Sequence, residues 1–183
     1  MDQIKPSPFI ESDTLAFRDF DESYLNQFKE WMNDKDYRKF SRQEVPIMMS
    51  SQQSWYSSIQ GSNQSVNFSV WYKPENKLIA FGGIFGINWI DRNAEIGYGI
   101  GDKSYWGKGL GYEMVSLIVK YAFEELNLHR LYATMIDGNI ASRRCLEKAG
   151  FTLEGTRKDD TFLDGKYVDK FYFALLAPEY FHN

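Results

Sequence analysis

The chain has 183 residues, of which 43% are apolar, 17% aromatic and 25% charged, with a formal net charge of −4. That length suits one domain, residues 1–183, and 14 Phe, 12 Tyr and 5 Trp give it too much apolar surface for a disordered chain. The acidic balance argues against a nucleic-acid binder and suits an amine-bearing partner. The one cysteine, Cys145, excludes an internal disulfide and is expected in a reducing cytoplasm. Met1–Pro6 lacks the apolar core of a signal peptide, and no apolar run is long enough to span a bilayer.

Leu15–Phe20 alternates and predicts a strand. Tyr24, Leu25, Phe28, Trp31 and Met32 recur at helical spacing behind a candidate N-cap, Asp21. Tyr37–Ile47 reads as irregular, and Ser50 or Ser51 is placed to cap a helix through Trp55, Tyr56 and Ile59. Val66–Tyr72 and Lys77–Ile87 form a predicted hairpin about Lys73-Pro74-Glu75-Asn76, and Ala94–Ile100 adds a third strand. Gly101–Gly111 is a glycine-rich loop opening a helix through Met114, Leu117, Ile118 and Tyr121, with Asn127 as its stop. Leu131–Ile136 is a strand and Asn139–Ala149 a helix ended by Gly150. Phe151–Arg157 and Lys166–Leu176 are strands on either side of an Asp164-Gly165 turn. The order β-α-α-β-β-β-α-β-α-β-β describes a mixed α/β (α+β) single domain.

The loop Trp106-Gly107-Lys108-Gly109-Leu110-Gly111-Tyr112 lies between a strand and a helix. Glycines let backbone N–H groups approach a ligand, and the helix start adds free donors and a positive dipole end, so the pattern points to phosphate. The spacing from Gly101 to Lys108 does not fit a P-loop, and the third glycine comes one residue early for a Rossmann fingerprint. Asp137 after the next strand is the one feature that keeps a dinucleotide reading open.

The loop resembles the Q/R-x-x-G-x-G/A loop of the GNAT superfamily of acetyl-CoA-dependent N-acetyltransferases, with Trp106 in place of the leading Gln or Arg. Asn139-Ile140-Ala141-Ser142-Arg143-Arg144-Cys145-Leu146-Glu147-Lys148-Ala149-Gly150-Phe151 resembles a second segment of that superfamily, one strand later as the fold requires. The resemblance covers nearly the whole chain. It implies one GNAT-like domain with a central mixed, mostly antiparallel sheet flanked by helices, and acetyl-CoA as co-substrate. Glu95-Ile96-Gly97-Tyr98 and Leu146-Glu147-Lys148 are similar to the RimJ/RimL-like, ribosomal-protein N-terminal branch. That branch implies a protein N-terminal α-amine as acceptor, with a small amine (aminoglycoside, polyamine or amino-acid analogue) or a non-catalytic CoA-binding regulator as alternatives. A homodimer is common in the fold.

Strand alternation places Glu95, Gly97 and Gly99 on one face, a carboxylate above two positions without side chains, which leaves room for a ligand. Glu95 is the expected general base, a solvent-facing Glu the plainer reading. The resemblance implies that Gly99, Ile100 and Gly101 pair with the pantetheine arm and that Trp106, Gly107, Lys108, Gly109, Leu110, Gly111 and Tyr112 hold the pyrophosphate. It also implies that Asn139 contacts the co-substrate, although an Asn there is equally an N-cap. Where many GNAT enzymes carry a Tyr that protonates the thiolate, this chain has Leu146; Ser142 is the nearest hydroxyl, as acid or as support for the cap. Cys145 falls with Ala141 and Ala149 on a small-residue stripe and reads as packing. His129 and His182 read as structural, Arg143 and Arg144 as a solvated face or phosphate contacts. No metal-ligand spacing occurs. Trp31, Tyr37 and Trp55, with Tyr56, Arg38, Lys39 and Arg42 nearby, are the expected acceptor wall.

Overall fold

The computed structural model describes residues 7–182, so the reading of Met1–Pro6 lies outside the described residues. The chain opens with β1 (Ile10–Glu11) and β2 (Leu15–Arg18), the latter buried along its whole length. Asp21 accepts from the Ser23 amide and starts a short turn, Glu22–Tyr24, which leads into α1 (Leu25–Asn33). α1 buries Leu25, Phe28 and Trp31, one stripe of an amphipathic helix.

The segment read as irregular from Tyr37 contains a helix, α2 (Lys35–Ser41). The Asp34 carboxylate caps it by accepting from the Asp36 and Tyr37 amides, and Arg42 ends it with a left-handed φ of 60°. Seven residues holding only two large apolar side chains, Tyr37 and Phe40, are too few to show a helical period, so here the caps carry the signal. α3 (Met49–Ile59) follows Met48 without a side-chain cap; Ser50 and Ser51, expected to cap it, lie inside its first turn.

β3 (Ser65–Tyr72), β4 (Lys77–Asn88) and β5 (Asn93–Ile100) form the antiparallel run the sequence predicts. α4 (Leu110–Lys120) is extended by a wider turn in which the Leu126 amide donates to the Tyr121 carbonyl at 3.1 Å, and Asn127 then adopts a φ of 52°. β6 (Arg130–Ile136), α5 (Ile140–Lys148), β7 (Thr152–Leu163), β8 (Lys166–Leu176) and α6 (Ala177–Phe181) complete the chain. β7 runs six residues beyond the expected Arg157, to the turn where Asp164 and Gly165 both have positive φ (48° and 83°).

The sheet has eight strands in the order β1-β2-β3-β4-β5-β6-β8-β7. Every neighbouring pair is antiparallel except β5–β6. α4 buries Met114, Val115 and Ile118 in one continuous core with Leu15, Phe17, Ile79, Ile84, Ala94 and Ile96 of the sheet, and Leu146 of α5 joins it fully buried. The mixed, helix-flanked single sheet expected from the sequence is the architecture found.

One feature of this sheet positions everything that follows. β5 pairs with β6 only where Asn93, Ala94 and Glu95 face Arg130, Leu131 and Tyr132. Beyond Glu95, β4 holds β5 on its outer side as far as Ile100, and β8 holds β6 as far as Ile136. The two strands therefore part into a fork with Glu95 at its vertex, and their facing peptide groups have no strand partner across the gap. Such groups need hydrogen-bonding partners, from water or from a ligand that carries amides.

Candidate active site

The glycine loop sits at the open end of the fork. Gly107 and Gly109 have φ of 74° and 81°, and no atom lies within 4 Å of the place a Cβ would take at either. The loop is thus open at both glycines, and the first N–H groups of α4 beside it have no partner within the helix. Gly111 is close-packed: a Cβ there would stand 3.2 Å from Cys145 Sγ, so the glycine eases the approach of α4 to α5. Burial pushes the Cys145 thiol above its ordinary pKa, which keeps it protonated and in a packing role.

Two loop side chains are engaged within the protein. Trp106 turns its indole N–H to the Ile100 carbonyl at 2.8 Å, so it ties the loop to the end of β5 instead of offering that donor to a phosphate. Lys108 places its ammonium 4.7 Å from the Tyr105 ring centre, a cation–π contact that holds it beside the loop. The Gly101 and Asp102 amides both donate to the Ile79 carbonyl, at 2.9 and 3.1 Å, and so face β4. An open glycine cradle, free helix-start donors and a strand gap of unpaired peptide groups fit a long co-substrate with a phosphate end and an amide-bearing arm, the chemistry of acetyl-CoA.

The Glu95 face of β5 is not vacant. A Cβ at Gly97 would come within 2.8 Å of the Phe85 ring, one at Gly99 within 2.1 Å of the Tyr37 hydroxyl, and one at Gly101 within 1.9 Å of the Trp31 ring. The room that the alternating glycines leave is therefore taken by aromatic side chains from β4, α2 and α1. Glu95 stands at the end of this row, half-buried, and accepts from the Thr134 hydroxyl at 3.3 Å. Burial pushes the Tyr37 phenol well above its ordinary range, so it stays a neutral donor at the wall. Trp31 and Tyr37 thus reach the predicted face. Trp55 packs edge-on to Phe20, with centroids 5.0 Å apart, and serves the contact between α3 and the chain before α1.

The opposite face of β5 carries Ala94, Ile96, Tyr98 and Ile100. Tyr98 points to α5, where its hydroxyl lies 3.0 Å from Ser142 Oγ and 3.3 Å from the Ser142 carbonyl. Asn139 acts as the N-cap of α5, its Oδ1 accepting from the Ser142 amide at 3.2 Å. Arg143 is engaged with Glu147 at 2.8 Å on the outside of the same helix. Sequence reasoning missed Tyr98 and Thr134. A hydroxyl between Tyr132 and Ile136 on one row of β6 is a weak signal for Thr134; Tyr98 gives none, because a half-buried phenol alternates like any core residue.

Beyond α2 lies a cationic surface. Lys35, Arg38, Lys39 and Arg42, at i, i+3, i+4 and i+7, line a cavity of about 210 Å³ whose far wall includes Leu163 and Asp164 at the β7–β8 turn. Lys39 pairs with Asp164 at 2.7 Å and Arg42 with Glu44 at 2.5 Å. Among the described residues no group of three or more His, Cys, Asp or Glu is placed to hold a metal ion, and no helix is long and apolar enough to cross a membrane.

The profile of the acetyltransferase (GNAT) domain matches residues 14–152, which contain the fork, the glycine loop and α5. The chain belongs to the GNAT acetyltransferase family. It is 36% identical over 118 residues to the probable N-acetyltransferase YjcK of Bacillus subtilis, a match spanning 64% of this chain and 65% of that one. It is 34% identical over 85 residues to the ribosomal protein uS5-alanine N-acetyltransferase of Escherichia coli, spanning 46% of this chain and 43% of that one. Among solved structures, a GNAT-family acetyltransferase from Bacillus anthracis superposes with a TM-score of 0.78 at 27% identity, over 92% of this chain and 98% of that one. A spermidine N-acetyltransferase from Vibrio cholerae in complex with CoA and spermine gives 0.86 at 24% identity, over 93% and 99%, a likeness that speaks for the fold.

Proposed function

We propose that the protein is an acetyl-CoA-dependent N-acetyltransferase that acts on a primary amine by direct attack, with a protein N-terminal α-amine as acceptor. The observation that carries the reading is the fork: β5 and β6 part at the one carboxylate of the glycine row. The separated backbones take the pantetheine arm, with Gly99 and Ile100 on one prong, and the loop 107–112 with the start of α4 takes the pyrophosphate. Glu95 then stands where the arm ends and removes the amine proton, directly or through a water, with Thr134 fixing its carboxylate. The reaction needs no covalent enzyme intermediate, and the packed, protonated Cys145 supplies none.

The acceptor is read from charge. The Vibrio cholerae neighbour is named for spermidine and the Escherichia coli relative for the alanine of a ribosomal protein. Here the outer face of α2, whose inner face reaches Gly99 through Tyr37, bears four cationic side chains. Lys39 and Arg42 are paired with Asp164 and Glu44, so Lys35 and Arg38 carry most of the positive field there, which repels a polyamine and attracts a peptide with carboxylates behind its free amine. This supports the ribosomal-protein type of acceptor over the polyamine type.

The test is release of free thiol from acetyl-CoA with three acceptors in parallel: short acidic peptides with free N-termini, the same peptides N-blocked, and spermidine. Turnover of the free peptides alone is expected. Turnover of spermidine alone would assign the small-amine reading. If acetyl-CoA raises the melting temperature by a few degrees while no amine is turned over, the protein is a CoA-binding regulator.

A further inference from the structure

We propose that Tyr98 is the positioning residue for Ser142: its phenol, carried on one prong of the fork, holds the serine hydroxyl of α5 so that the serine proton points at the thioester sulfur. The inference rests on the acetyl-transfer reading above. Three observations carry it. Tyr98 lies on the stretch of β5 that has left β6, and its contact with Ser142, 3.0 Å between hydroxyl oxygens, joins that prong to α5, the helix that follows β6. Its seat is tight, because a Cβ on the facing Gly82 would stand 3.2 Å from Tyr98 Cβ. Leu146, fully buried one turn beyond Ser142, carries no hydroxyl, so the Tyr98–Ser142 pair is the hydroxyl chemistry that the start of α5 presents at the fork.

The hydrogen-bond inventory allows the direction that serves the reaction. A serine hydroxyl has one proton and two lone pairs. The Asn139 carboxamide already fixes the Ser142 amide, and so the first turn of the helix. Tyr98 has one proton and two acceptors in reach, the Ser142 carbonyl at 3.3 Å and Ser142 Oγ at 3.0 Å; in the proposed arrangement it donates to the nearer Oγ, which leaves the serine proton to the gap between the strands. Burial raises the Tyr98 pKa, so the phenol remains a neutral donor throughout.

In the transfer step the amine nitrogen bonds to the acetyl carbon, the C–S bond breaks, and its electron pair leaves on sulfur as a thiolate. The amine proton passes to Glu95. Ser142 donates a hydrogen bond to the thiolate and keeps its proton, as Tyr98 keeps its own, so charge and protons balance without either hydroxyl ionising. A hydrogen bond to a charged group is worth more than one to a neutral group, so this contact strengthens as the sulfur becomes anionic and favours the transition state over bound thioester.

Tyr98→Phe removes one oxygen and keeps the ring. We expect kcat to fall about tenfold to hundredfold, with KM for acetyl-CoA within about twofold. Ser142→Ala should show the same loss, Ser142→Thr should keep most of the activity because it keeps the hydroxyl, and Tyr98→Phe/Ser142→Ala should be no slower than the slower single variant. Because Ser142 is only half-buried, that arm reads the contact even if Tyr98→Phe lowers the melting temperature. Wild-type kcat in Tyr98→Phe, losses that multiply in the double variant, or a loss confined to KM would each overturn the inference while leaving the transfer reading intact. A wild-type protein that turns over no amine would overturn that reading and this one with it.

Discussion

On its α4–α5 side, β5 meets the glycine loop, the Asn139 cap and the Tyr98–Ser142 pair, so that side works through peptide groups and short hydroxyls. On its α1–α2 side it meets three aromatic rings, from Trp31, Tyr37 and Phe85, laid over three glycines. A backbone-built surface suits a ligand shared by many enzymes, because peptide N–H and C=O groups are present whatever the sequence. A wall of side chains suits the partner that varies, since replacing one ring reshapes it without disturbing the ladder. On the proposed reading the aromatic side would set selectivity and the other side would hold the common co-substrate, with Glu95 at the vertex between them.

The largest expected effect falls on that meeting point. Glu95→Gln keeps the shape and the Thr134 contact but cannot take a proton. Loss of a general base lowers kcat by about a hundredfold or more. Acetyl-CoA should still raise the variant's melting temperature as it does that of the wild type. An unchanged kcat would remove Glu95 from the chemistry, and loss of the acetyl-CoA shift would show that the carboxylate belongs to co-substrate binding.

A smaller effect tests whether the aromatic wall needs its glycines. A Cβ at residue 101 would overlap the Trp31 ring, and Trp31 is only 8% exposed, so the ring has little space to yield. Overpacking of this kind costs about 1–3 kcal/mol, so Gly101→Ala should lower the melting temperature by roughly 3–10 °C. In the Trp31→Leu background the same change should cost clearly less, because the two sites share one contact. Equal penalties in both backgrounds would mean that the glycine is needed for its backbone and that the ring rests on it incidentally.

The same contrast explains what the sequence disclosed. The Asp21 and Asn139 caps, the Asp164-Gly165 turn and the loop glycines act over a few residues, and each is readable; the Ser50/Ser51 cap expected for α3 and the short strand β1 show where even local signals fail. The α2 helix is not readable either, since its seven residues rest on an Asp34 cap and on tertiary contacts. The resemblance implies that Gly99 to Gly101 meet the pantetheine arm, but the parting of β5 from β6 at Glu95 follows from pairings with β4 and β8 that no local pattern encodes. Gly97, Gly99 and Gly101 show the limit most plainly. Alternating glycines signal that something comes close, and only the fold reveals that Phe85, Tyr37 and Trp31, between 12 and 70 positions away, are what comes.

The smallest expected effect concerns the closed end of the fork, which the contrast takes to be rigid. Arg130, paired with Asn93 at the first rung between β5 and β6, makes a two-pronged contact with Glu154 of β7, one prong at 2.7 Å. The Arg130 guanidinium holds the Glu154 carboxyl below its ordinary pKa. A lowered folded pKa means that the contact's stabilisation is present above the unfolded value, about 4.3, and is lost as pH falls through the folded value. Both side chains are partly exposed, so solvent screening keeps the contribution below about 1 kcal/mol. Glu154→Gln should therefore melt slightly lower than wild type at neutral pH, and the two curves should converge as the pH falls below the unfolded-state value and through the lower folded-state one. Curves that stay parallel through that range would show that the pair does not pin the fork, and the rigidity of its closed end would then rest on the β6–β8 ladder alone.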